Sequence, residues 1–420
     1  MRVGPVLPQN ISQHDRGEER QAWGAVLAIS LAAFALVASE FMPVSLLTPL
    51  ASDLRISEGQ AGMGISVSGL FALLVALVIA PVAAKMERKR VLMCMILVMV
   101  ISGTVVAFAA NYEIFMVGRA LIGVAIGGFW SLSTATAIRL VPARDVPRAL
   151  ALVNGGNALA TVIAAPAGSY LGAFIGWRWA FFIVVPVAIL ALAWLMISMP
   201  KLTPRPVSSG SGNVLLLLKR PPVALGMLAV AGFFMGQFML FTYLRPFLET
   251  VTQLDVSLVS FVLLLIGICG LVGTFLIGAF LRESGLFRIL VGVPVVMAVI
   301  AMALVAYGDT LIATATLLGF WGLIATATPV AWFTWIARIV PDDVEAGGGL
   351  FVAICQLAIA LGGTVGGIIF DSVGYRATFK VSALLLVVTS VLAYLAGRSA
   401  AKAAGDAENR PAGPLVVSEP

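Results

Sequence analysis

Apolar residues in this chain of 420 residues fall in long unbroken runs, and the polar and charged residues gather in short stretches between them. A transmembrane β-barrel would instead alternate in segments of about ten residues. A helix needs about 20 apolar residues to cross about 30 Å of hydrocarbon. Twelve runs meet that length: 23–47, 61–83, 91–110, 114–138, 149–171, 179–199, 222–244, 257–281, 289–307, 311–337, 348–370 and 378–397. Several carry Gly or Pro, which membrane helices tolerate because neighbouring helices re-satisfy the freed backbone groups. The connections are mostly short. The clear exception is 200–221, whose Pro/Ser/Gly core cannot pack. The pattern predicts an all-α membrane protein of twelve transmembrane helices in two six-helix bundles. Its parts are a tail over 1–22, a bundle over 23–199, a linker over 200–221, a second bundle over 222–397 and a tail over 398–420.

Composition removes the other classes. Apolar residues make up 60% of the chain and charged residues 11%, where a soluble domain carries about 45–50% and about 25%. That is too little charge to cover a soluble protein of this size. Cys94, Cys269 and Cys355 lie inside apolar runs and read as small hydrophobes, not as a disulfide set. The single histidine, His14, sits in a polar tail, so neither an imidazole metal site nor a catalytic triad is expected in the membrane. Residues 1–22 are polar and charged, and the first apolar run is of spanning length, so no cleavable signal is expected.

The basic residues set the orientation. With the N-terminus inside, the cytoplasmic segments hold 20 Lys and Arg, against 5 outside: Arg55, Arg178, Arg245, Arg376 and Lys380. A Lys/Arg excess marks the cytoplasmic side, so both termini are expected there. The net charge of +6 is therefore a topology signal, and no nucleic-acid partner is implied.

The halves repeat. Ile138-Arg139-Leu140-Val141-Pro142 matches Ala337-Arg338-Ile339-Val340-Pro341 at an offset of 199, and Trp177-Arg178 matches Tyr375-Arg376 at 198. Residues 39–49 align with 236–246 at 197, sharing Phe, Met, Leu and Pro. A parallel repeat of two six-span bundles is the layout of a transporter with its site between the halves.

Two charges fall inside the runs. Glu40, beside Phe41, Met42 and Pro43, is the one acidic residue of the 20 that this reading places in a span. A mid-membrane charge costs at least about 2.5–3.5 kcal/mol and marks a site by default. A carboxyl kept from water holds its proton more readily, as a proton carrier needs; the plainer reading is a structural acid or one reaching the outer interface. Arg119 is the other. It is read either as a fixed positive charge tuning a nearby acid or as a structural ligand of helix-end carbonyls. Their repeat-mates are neutral, Gln237 for Glu40 and Leu318 for Arg119.

Trp130, Asn154, Asn157, Gln237, Thr242, Tyr243, Trp332, Trp335 and Gln356 lie at similar depth. Asn and Gln donate and accept, which suits a heterocycle with mixed edges, and aromatic faces would stack on its ring. Interfacial anchoring and helix-to-helix hydrogen bonding are the competing readings. Gly123, Gly127, Gly128, Gly168 and Gly172 read as close helix contacts.

These features resemble the major facilitator superfamily, and within it transporters of the drug:proton antiporter-1 type. The carriers are Glu40-Phe-Met-Pro-Val-Ser-Leu-Leu-Thr-Pro49, Arg119 with its glycines, and Ala165 to Gly172 with Gly176-Trp177-Arg178. Ile56-Ser57-Glu58-Gly59, Gly128-Phe129-Trp130 and Arg139-Leu140-Val141-Pro142 make the chain most similar to bacterial purine ribonucleoside exporters. The likeness covers about 23–397. One motif departs from the family. In the loop between spans two and three, Ala83 replaces the usual glycine and Glu87 the usual aspartate, while Arg88-Lys89-Arg90 keep the charge.

The resemblance implies the major facilitator fold and a proton-coupled exporter of purine ribonucleosides such as inosine and guanosine. It would have no cofactor beyond the proton gradient, and it would be a multi-pass protein of the bacterial inner membrane. Glu40 and Arg119 would couple protons, and Gln237, Tyr243, Trp130, Asn154, Asn157, Gln356 and Trp332 would bind substrate. The expected partners are a small-molecule substrate, protons and membrane lipid, with the chain acting as a monomer. A multidrug, sugar or amino-acid exporter is the alternative of the same fold. A membrane-embedded enzyme would need clustered His, Asp or Ser near an interface, and a non-transporting sensor a large soluble domain.

Overall fold

The computed structural model describes residues 13–84, 86–202, 214–281, 285–341 and 344–408. Twelve helices among them are long and apolar enough to cross a membrane: span one Ala22–Leu54, two Glu58–Ile79, three Arg88–Ala107, four Tyr112–Leu140, five Ala143–Ile175, six Trp177–Ser198, seven Pro221–Thr250, eight Val256–Gly278, nine Leu286–Tyr307, ten Leu311–Ile339, eleven Gly347–Val373 and twelve Tyr375–Lys402. The helix of span one begins earlier, at Gln13, inside the expected tail. Val214–Lys219 of the linker forms a short 3-10 helix. The linker core 203–213, most of both tails, and the basic residues Lys85, Arg205 and Arg282 lie outside the described residues.

Proline explains where the spans break. Pro186, Pro246 and Pro329 cannot donate to the carbonyl four residues earlier. The helices stop there, at Phe182, Thr242 and Ala325, before resuming. Pro43, Pro49, Pro166 and Pro294 lie inside continuous helices.

The chain divides into two compact units. The first comprises residues 1–56 and 67–207, and the second 57–66 and 208–420. In the first, span one packs on five and six, and three packs on four and six; in the second, seven packs on eleven and twelve, and nine on ten and twelve. The pairings repeat as the sequence does. So do the turns: Gly176 before span six and Gly374 before span twelve both take positive φ, 83° and 94°, a conformation open to glycine at little cost. Within the first unit, a Cβ at Gly123 or Gly127 would strike the Ser68 or Ala72 carbonyl, so these glycines do let spans two and four meet at backbone distance.

Candidate functional site

Pro43 sets up the centre of the first unit. Lacking an N–H, it leaves the carbonyl of Ser39 without its helical donor. Arg119 of span four supplies one. Its Nη1 donates to the Ser39 carbonyl at 2.9 Å, and its Nη2 donates to the Glu40 carbonyl at 3.0 Å and to Ser68 Oγ at 3.0 Å. Arg119 is wholly buried and Glu40 is 6% exposed. A buried guanidinium must be fully hydrogen-bonded, and a planar fork reaches two adjacent carbonyls as an ammonium cannot. The structure thus brings Glu40 and Arg119 together through the backbone of Glu40 itself. Beside them Ser102 Oγ donates to the Gly118 carbonyl at 2.7 Å, tying span three to span four.

The other candidates of the first unit are less enclosed. Trp130 is half-buried, edge-on to Phe129 at 5.8 Å. Asn157 is half-buried, while Asn154 is exposed and donates to the Leu150 carbonyl of its own helix at 2.9 Å.

In the second unit the polar candidates differ in what their groups already do. Tyr243 is wholly buried at the break in span seven; its hydroxyl donates to the Gly363 carbonyl at 2.7 Å and its ring stacks on Phe370 at 5.0 Å. Trp332 is 1% exposed, edge-on to Trp335 at 5.8 Å, and its indole N–H is buried without an acceptor. The side-chain carbonyl of Gln237 and the hydroxyl of Thr242 are likewise buried and unpartnered. Gln356 is half-buried. A buried polar group without a partner is costly, and Gln237 and Trp332 present a buried acceptor and a buried donor with no protein partner. No group of His, Cys, Asp and Glu among the described residues could hold a metal ion.

Arg245 and Glu249, expected outside the spans, fall within the helix of span seven, as Arg178 falls within that of span six and Arg376 and Lys380 within that of span twelve. Arg245 is 4% exposed and its Nε donates to Glu249 Oε1 at 2.7 Å. The apolar run ends at Leu244, but the helix resumes after Tyr243 because charges four apart lie on one face and pair. That i,i+4 spacing, flanked by Phe247 and Leu248, was the available signal.

Residues 29–363 match the family model of the Major Facilitator Superfamily. The chain belongs to this family. It is a multi-pass membrane transporter and not an enzyme. It is 56% identical over 93% of its length, and 98% of the relative's, to a Pseudomonas aeruginosa protein named transcription regulatory protein OpdE. It is 38% identical to the purine ribonucleoside efflux pump NepI of Salmonella enteritidis, over 92% of this chain and 97% of that one. Among solved structures, a bacterial homologue of the human lysosomal transporter Spinster matches with a TM-score of 0.75 at 17% identity, covering 91% of this chain and 98% of that one. That last likeness concerns the fold alone.

Proposed function

We propose that this chain is a proton-coupled exporter of purine ribonucleosides such as inosine and guanosine, working by alternating access in the bacterial inner membrane with both termini in the cytoplasm. The observation that carries the reading is the buried carboxyl of Glu40, on a stretch of span one whose carbonyls are fixed by the wholly buried Arg119. Glu40 takes a proton from outside as solute leaves, and releases it inward before the next solute binds. Arg119 holds the backbone of the turn that carries the carboxyl. In the second unit Gln237 and Trp332, with an unmet acceptor and donor, read the polar edge of the base. The 38% identity to NepI supports the nucleoside class, and the 20-to-5 distribution of basic residues supports the orientation.

Radiolabelled inosine flux into inverted vesicles, with and without an imposed pH gradient, tests this. Accumulation is expected only with the gradient and should be competed by guanosine. Competition by drugs, sugars or amino acids but not by nucleosides would move the cargo to another class.

The name of the 56%-identical relative favours a second reading, an influence on transcription. On this reading the effect passes through the internal level of the exported solute. A transport-dead Glu40→Gln chain should then lose the effect on transcription as well. An effect that survives in that variant would assign regulation to something other than transport.

A further inference from the structure

Where spans one and three end and span six begins, the first unit keeps an ion pair in the open. Asp53, in the last turn of span one, accepts at Oδ2 from the Trp177 indole N–H at 3.1 Å and from Arg178 Nη1. Arg178 Nη2 donates to the Ala109 carbonyl at 2.8 Å. These bonds leave capacity on both partners. A carboxylate accepts at two oxygens and a guanidinium carries five N–H donors. Among the described contacts, none falls on Asp53 Oδ1 or on Arg178 Nε. The two side chains are 46% and 34% exposed. An anion and a cation therefore stand side by side with bonds to spare.

Beside the pair lies a recess of about 270 Å³, lined by Ala107, Phe108, Arg178 and Trp179. Sites for drug-sized ligands run from about 300 to 1,000 Å³, so the recess suits a smaller group. An aromatic wall bounds it. Phe108, Trp179 and Phe182 meet edge-on in all three pairings, with centroids 6.5, 5.8 and 5.6 Å apart. Phe108 and Trp179 are exposed, and aromatic rings at span ends sit at the level of the lipid headgroups. The repeat builds the same turn without these groups. At an offset of 198, Ala377 and Lys380 stand in place of Trp179 and Phe182; at 197, Thr250 stands in place of Asp53.

We propose that this corner binds one phospholipid, phosphatidylethanolamine. Its phosphate lies on Arg178, its primary ammonium donates to Asp53 Oδ1, and its glycerol and upper chains rest against the Phe108–Trp179–Phe182 wall. The two charges of the headgroup match the pair in sign, and charge-assisted hydrogen bonds are the strong ones. Both contacts use atoms that the pair's own bond leaves over. The ammonium N–H groups select this lipid. Phosphatidylcholine carries both charges, but its quaternary ammonium has no N–H to donate, and phosphatidylglycerol has no cation. The site is independent of which solute crosses.

The test holds the full chain in nanodiscs of phosphatidylcholine, phosphatidylglycerol or phosphatidylethanolamine. Each contains the same trace of a phosphatidylethanolamine with a photoreactive diazirine high on one acyl chain. After irradiation, peptide mass spectrometry measures labelling of residues 107–109 and 177–183. Bulk phosphatidylethanolamine competes for the site, so labelling there should be about threefold lower than in phosphatidylcholine, the worth of an exposed charged contact. Phosphatidylglycerol should leave labelling near the phosphatidylcholine level. Equal labelling in phosphatidylethanolamine and phosphatidylcholine, or competition by phosphatidylglycerol as strong as by phosphatidylethanolamine, overturns the assignment. Asp53→Asn keeps an acceptor for Trp177 and Arg178 but loses the charge. It should bring labelling in phosphatidylcholine down to the native level in phosphatidylethanolamine, and a lipid preference that survives in it overturns the role of Asp53. The lipid comparison on the native chain decides the proposal even if that variant does not fold.

Discussion

The carbonyls of Ser39 and Gly236 occupy the same place in the two repeats, and they are served differently. In the first unit Pro43 strips the Ser39 carbonyl of its helical donor, and the buried Arg119 replaces it. In the second, residue 240 is Leu, and the Gly236 carbonyl is met by the Ser382 hydroxyl at 2.6 Å. Leu318, the counterpart of Arg119, is wholly buried. The outer turns diverge in the same way. Arg178 donates to Asp53 and to the Ala109 carbonyl and lies over the Trp177 ring at 4.3 Å. Its counterpart Arg376 is exposed and reaches only its neighbour Tyr375 among the described contacts. One architecture carries a charged centre in one half and a largely neutral one in the other. The repeat preserves helix pairing and turns, while the polar chemistry has specialised.

Exchanging the two centres should break that contrast most severely. Arg119→Leu, which installs the second unit's residue in the first, removes three hydrogen bonds and strands the Ser39 carbonyl. It should lower stability by about 3 kcal/mol or more and abolish transport, as read by thermal unfolding in detergent and by vesicle uptake. The reciprocal Leu318→Arg meets no freed carbonyl and should unfold the second unit without conferring any coupling.

Pro43→Ala is subtler. It returns an N–H to span one, which then competes with Arg119 for the Ser39 carbonyl. Stability should move by no more than about 1 kcal/mol, while the maximal transport rate falls; an unchanged rate would detach the proline from the mechanism. Gln237→Ala should raise the KM for inosine about tenfold, the worth of roughly one good hydrogen bond, with little change in unfolding temperature. The smallest effect belongs to Ser382→Ala. Gly236 keeps its own helical partner there, so a loss of about 1 kcal/mol with unaltered pH dependence is expected. A large coupling defect in that variant would erase the distinction between the halves.

Much of this is legible in the sequence. Apolar run length delivers twelve spans, and the paired motifs at 138–142 and 337–341 anticipate the repeated packing. Glu40 and Arg119 stand out because a charge in an apolar run has few explanations. What stayed hidden depends on geometry that residue type does not carry. That Arg119 meets the Ser39 carbonyl freed by Pro43, and the Glu40 carbonyl next to it, is something only three dimensions place within reach. Arg245 and Glu249 were masked because a hydropathy run stops at a charge even where the helix resumes.

The central claim is that the Glu40 carboxyl couples proton movement to export, and Glu40→Gln tests it most directly. In inverted vesicles with an imposed pH gradient, the native chain should accumulate radiolabelled inosine. The Gln variant, inserted to the same level, should only equilibrate it. Gradient-driven accumulation that persists undiminished in Glu40→Gln would contradict the account.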